Sequence, residues 1–100
     1  MRIEGILKKK LDRRTGVSKN TGVPYDLQDV LVEATETFTR RDGSTSEITH
    51  TFVIICSVKD GAFGFEEGQK LCFEVYFNAN EYQGKYYPKC NSRFYYALNN

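Results

Sequence analysis

The sequence predicts an all-β protein, a single domain over residues 1–100 folded as a five-stranded closed barrel. Apolar and polar residues alternate with period two through most of the chain, and no window of about eleven residues sustains a 3.6-residue apolar repeat. Turn formers, notably Asp42-Gly43 and Gln83-Gly84, fall between the alternating runs where hairpins need them. Composition fits an ordinary globular domain, with 40% hydrophobic and 27% charged residues. A chain of this length buries only about two thirds of its unfolded surface, so the core must be small.

A first strand near residues 2–11 offers Ile3, Ile6, Leu7 and Leu11, with Gly5 as a bend or bulge. The run "DRRTGVSKNTGVP" then reads as a long loop, because it carries two glycines, a proline, Asn and Asp. The second strand runs from Tyr25 to about Phe38, with Val30, Val32 and Ala34 on one face and Leu31 and Glu33 on the other. Asp-Gly turns the chain into a third strand, "EITHTFVIICSV". It places Val53 and Ile55 on one face and His50, Phe52, Ile54 and Cys56 on the other. Neither face is very polar, so one should meet the core while the other needs a partner or a ligand.

"KDGAFGFEEGQ" is a connector with room for a short helix or turn, in which Phe63 and Phe65 can plug a barrel end. The fourth strand, "QKLCFEVYFNA", alternates Leu71, Phe73, Val75 and Phe77 inward with Lys70, Cys72, Glu74 and Tyr76 outward. A tight hairpin at Gln83-Gly84 leads into a fifth strand from Lys85 to about Leu98. This order of strands and connections is that of an OB-fold, a Greek-key β-barrel.

Net charge is +1, too little for a cation-coated duplex binder, but the charge is unevenly placed. Residues 1–19 hold seven Lys or Arg against two acids, and Lys85, Lys89 and Arg93 all follow the last carboxylate, Glu81. Residues 80–96, "NEYQGKYYPKCNSRFYY", contain five of the seven tyrosines. In this strand Tyr87, Lys89, Asn91, Arg93 and Tyr95 share one parity, so rings alternate with cations. Phosphates need positive groups at intervals and unstacked bases need flat apolar surfaces, which is the pattern of a single-strand groove. Tyrosine is also a favoured strand residue and edge cations guard against aggregation, so the same pattern suits a plain edge strand.

Other chemistry finds little support. Cys56, Cys72 and Cys90 form an odd set without a CxxC pair, and His50 is the only histidine, so no disulfide framework, metal or cofactor is expected. No glycine-rich phosphate loop or assembled nucleophile and base is present, so the protein is expected not to be an enzyme. The basic amino-terminal segment lacks a following apolar run and no stretch approaches 18 apolar residues, which leads us to expect a cytoplasmic protein without a membrane span.

The segments "VLVEATETFTRRDGSTSEITHTFVIIC" and "EEGQKLCFEVYFNANEYQGKYYPKC" resemble the second to fifth strands of bacterial single-stranded-DNA-binding proteins and the related primosomal replication protein type. "YQGKYY" is also similar to the "Y-N-G-R-W-Y" hairpin of short bacterial OB-fold proteins. The resemblance covers roughly 70 residues and rests on pattern and spacing. It implies base-stacking roles for Phe38 after "TET", for His50 in the third strand and for Tyr82 at the hairpin tip. Phe52 stands where the family places a cation, and Cys56 where it closes with a stacking ring, so both depart from the pattern. Tyr76, Tyr87 and Tyr95 are available to compensate. The family's glycine- and proline-rich acidic tail has no match in "ALNN", so recruitment through such a tail is not expected.

The expected function is non-catalytic binding of single-stranded DNA, or else RNA. Phe38, His50, Phe52, Tyr82, Tyr87 and Tyr95 would supply rings, and Lys85, Lys89 and Arg93 the adjacent cations. Lys8, Lys10, Arg13 and Arg14 would flank the groove as backbone contacts. The resemblance further implies a homo-oligomer, dimer or tetramer. The alternative is an assembly module that uses its aromatic face to bind itself or another protein chain.

Overall fold

The computed structural model describes residues 1–59 and 63–98. It contains β1 (Arg2–Val17), β2 (Pro24–Thr39), β3 (Thr45–Ser57), β4 (Lys70–Tyr82) and β5 (Lys85–Ala97), with no helix among the described residues. The strands close into a barrel in the order β1-β2-β3-β5-β4, with β1 pairing to both β2 and β4. All pairings are antiparallel except β3 with β5, which meet in parallel over Ile55↔Asn91 and Cys56↔Ser92. This is the five-stranded OB-fold that the sequence predicts.

Alternation builds the core. Leu7, Val30, Val32, Ile54, Leu71 and Phe73 are fully buried, each contributing about 1.5–3 kcal/mol relative to exposure. Phe63 and Phe65 pack against this cluster, and both rings lie within 5.7 Å of Tyr95, closing one end as expected. Ile6 and Leu11 stay partly in solvent, on the opposite parity or beyond the core. The short helix considered for the connector falls partly on residues 60–62, outside the described residues, and its described part holds a turn and otherwise no regular structure.

Three expectations are corrected. The long loop after β1 is mostly strand: β1 continues to Val17 and pairs through Val17↔Pro24, leaving residues 18–23 as the turn. Ion pairs from Arg13 to Asp26 and from Arg14 to Asp29 hold this extension, and the Tyr25 ring lies over the bare Cα of its partner Gly16. Cys72 is buried although its parity points outward, because Tyr96 lies across it on β5. Phe77 has inward parity yet is 57% exposed, because β4 has by then run past the end of the core.

Three register shifts break the ladders, one of them between Leu7 and Lys9, and a buried polar side chain sits at each of the other two. Between Lys10 and Arg13 the β1 register slips, and the Gln28 amide donates to the carbonyls of Leu11 at 3.0 Å and Asp29 at 2.9 Å. Between Glu74 and Val75 the β4–β5 register slips by one residue, and the Ser92 hydroxyl lies 2.8 Å from the Glu74 carbonyl and 3.0 Å from that of Phe94. This last shift reverses the parity of β5. Tyr95 therefore does not share a face with Tyr87 and Arg93 but turns inward against Phe73, where its hydroxyl donates to the Ser57 carbonyl at 2.7 Å.

Candidate nucleic-acid interface

Hairpins β2–β3 and β4–β5 continue past the core and carry most of the rings in question. The first turns through Arg40–Ser44, where Gly43 takes φ 89° and the Asp42 carboxylate accepts from the Ser44 amide at 2.9 Å and hydroxyl at 2.6 Å. Those bonds hold the Asp42 carboxyl below its ordinary pKa. The second turns through Gln83 and Gly84, both at positive φ as a two-residue type I′ hairpin requires.

On β2–β3, Phe38, His50 and Phe52 share the parity that points into the barrel lower down. Phe38 sits opposite Ser46 and is 37% exposed. His50 pairs with Ala34, and its Nε2 lies 3.1 Å from Glu36 Oε2, an ion pair only when the ring is protonated. The His50 ring centre is 6.2 Å from that of Phe52, which is half-buried against the core. His50 and Phe52 line an open cavity of about 360 Å³ with Arg2, Ile3 and Glu36.

The β4–β5 hairpin has two distinct faces. Cross-strand register groups Tyr76, Asn78, Asn80 and Tyr82 with Asn91, Lys89, Tyr87 and Lys85. Arg93 joins them, its guanidinium 5.0 Å from the Tyr76 ring centre, and Asn91 donates to Asn78 Oδ1 at 3.0 Å. From Tyr76 to the tip this face carries three cations, three phenol rings and three amides; Glu81 points the other way, and Glu74, the next residue of the same parity, is paired with Arg2. Tyr82, at the tip, is 65% exposed. Rings in water beside positive charge that meets no carboxylate among the described residues are what stacking on bases and neutralising phosphates require. The opposite face bears Phe77, Ala79, Tyr86 and Pro88 and is largely apolar.

The remaining sequence-predicted positions lie elsewhere. Lys8 is exposed on β1, and Lys10 holds its ammonium 5.9 Å from the Phe63 ring centre. Arg13 is bonded through two nitrogens to Asp26, and Arg14 to Asp29, so their charge is met within the protein. Tyr95 belongs to the core end. Tyr76 takes its place beside Tyr87 on the hairpin face, and Asn78 and Asn80, which carry no sequence signal of their own, are placed there by pairing outward from Gln83-Gly84. Cys56 is buried, and that burial pushes its thiol up to about 12, so it takes no part on the surface. Among the described residues no group of three or more His, Cys, Asp or Glu could hold a metal ion.

The barrel is an OB-fold, and solved structures that superpose on it share that architecture. A deletion mutant of the single-stranded DNA binding protein from Thermus aquaticus superposes with TM-score 0.67 at 14% identity, over 98% of this chain. The chain spans 49% of that protein. The single-stranded-DNA-binding protein of Plasmodium falciparum, solved with ssDNA, superposes with TM-score 0.58 at 11% identity, covering 99% of this chain and 93% of the other. A small single-stranded DNA-binding protein from Streptomyces coelicolor gives TM-score 0.50 at 8% identity over 99% of this chain and 88% of its own. No family model and no curated protein matches the sequence.

Proposed function

We propose that this protein binds single-stranded nucleic acid, DNA in preference to RNA, without catalysing a reaction on it. The observation that carries this reading is the face of β4–β5 beyond the Arg2–Glu74 pair, where Tyr76, Tyr82 and Tyr87 stand among Lys85, Lys89 and Arg93. Phe38, His50 and Phe52 add a second set of rings on β2–β3. Lys8 and Lys10 supply more distant charge, whereas Arg13 and Arg14 act first as structural ion pairs. The likeness to three single-stranded-DNA-binding proteins supports the same reading through the fold. The apolar reverse of the hairpin, with Phe77 and Tyr86 in solvent, supports a homo-oligomer assembled through that side.

Anisotropy titration with labelled oligothymidylate at two salt concentrations tests the function directly. Tyr82→Ala and Phe38→Ala each weaken binding by about 1–3 kcal/mol, the worth of one stacked base. Lys85→Gln has a smaller effect at low salt and lowers the slope of log K against log salt by about 0.7. A wild-type protein that ignores oligonucleotide while forming a stable oligomer would instead support the assembly-module reading.

A further inference from the structure

The closing seam of the barrel leaves a fork. Parallel pairing of β3 with β5 lasts for Ile55↔Asn91 and Cys56↔Ser92 only. Beyond it β3 turns away, with the Val58 amide donating to the Asp26 carbonyl at 2.8 Å, while the bulge in β5 turns Arg93 and Phe94 outward. Between the diverging chains lies an open cavity of about 270 Å³ lined by Lys59, Gly64, Phe65, Arg93 and Phe94, among others.

Its chemistry differs from that of two other cavities among the described residues. Glu4 and Glu36 line the one beside His50, and Glu4 and Glu33 line the one beside Gly5. Among the described residues no carboxylate lines the fork, which has two cations and an aromatic rim. Phe94 is 60% exposed, a large apolar ring held in water beside Tyr96 at 5.6 Å. Arg93 also stands over Tyr76, so the last cation of the hairpin face is a wall of the cavity.

We propose that the fork is a further nucleotide subsite, in which Lys59 and Arg93 hold a phosphate of the bound single strand and Phe94 stacks on its base. The proposal rests on the single-strand reading and extends its path from Tyr82 and Tyr87, past Tyr76, onto the barrel. The volume lies just under the roughly 300–1,000 Å³ of ordinary ligand pockets, which suits one nucleotide rather than a run of them. Gly64 offers a way to block the subsite without touching its charges, because a Cβ there meets no atom within 4 Å.

The test is a titration of the full chain with labelled oligothymidylates of roughly 4 to 16 nucleotides, the range of OB-fold site sizes. Phe94→Ala and Gly64→Leu should weaken the longer strands about tenfold and leave the shortest unchanged. Lys59→Gln should lower the salt slope by about 0.7 for the longer strands only. Ultraviolet cross-linking of wild type should place an adduct on the peptide containing Phe94, a readout independent of any variant's folding. If wild type binds every length but no variant departs from it and no adduct forms there, the subsite is absent while the wider reading survives. Failure of wild type to bind any strand removes both.

Discussion

Gln28 and Ser92 are the buried polar residues among those described, and each occupies a slot that alternation reserves for an apolar side chain. Both answer carbonyls at a ladder fault, so their replacement strands acceptors in the interior. Gln28→Leu should cost about 1–3 kcal/mol in urea unfolding, despite its greater hydrophobicity. Tyr95→Phe loses the bond to the Ser57 carbonyl and should cost about 0.5–1.5 kcal/mol. Burial pushes the Tyr95 phenol up to about 12. The folded state therefore keeps a proton that the unfolded chain releases near its usual value of about 10. Stability from this group is full below that value and is lost as pH rises toward 12, and an alkaline titration of tyrosine absorbance should show a late step missing from Tyr95→Phe. Strict alternation assigned Tyr95 to the wrong face because it cannot register an inserted residue. Ser92 was the legible warning: a hydroxyl in line with Cys90 and Val75 where a core residue should stand.

The hairpins explain most of what was read correctly among the elements, and cross-strand charge explains most of what was missed. Asp42-Gly43 and Gln83-Gly84 mark their turns in one dimension. Nothing local in "DRRTGVSKNTGVP" announces that Arg13 and Arg14 will meet Asp26 and Asp29 across a strand pair, so its turn-rich composition reads as loop. The hydrogen bond from Arg13 holds the Asp26 carboxyl below its usual value. Its contribution is present above the unfolded carboxylate value and is lost as pH falls through the lowered folded one. Asp26→Asn should fray this end at neutral pH and remove that acid response, seen as faster amide exchange at Thr15 and Tyr25. Gly5 lies where β1 passes from β2 to β4, and a Cβ there would come within 2.7 Å of the Glu33 carbonyl. Gly5→Ala should therefore lower stability by about 1–3 kcal/mol in denaturant unfolding. Gln83 holds φ 52°, which Asn tolerates better, and Gln83→Asn should raise stability by about 0.5 kcal/mol.

The whole molecule is longer than a globule of its size. Its radius of gyration is 16.1 Å, against about 13 Å for a compact chain of 100 residues, and its longest extent is 56 Å. Strand number and order were legible because each hairpin fixes one neighbour and the OB-fold closes the remainder. The reach of the hairpins was not, because a period-two pattern looks the same on a strand inside the barrel and on one beyond it. Phe77 shows this: its pattern is that of the core, but no opposing layer remains at that height. The rings assigned to ligand contact thus stand on ladders with little apolar mass behind them. Amide protons along Phe38–Ser46 and Asn80–Lys85 should exchange orders of magnitude faster than those flanking Phe73, through local openings that leave the barrel intact. A ligand seated on those ladders would slow that exchange selectively, so part of its binding energy would be consumed in ordering the arms that receive it.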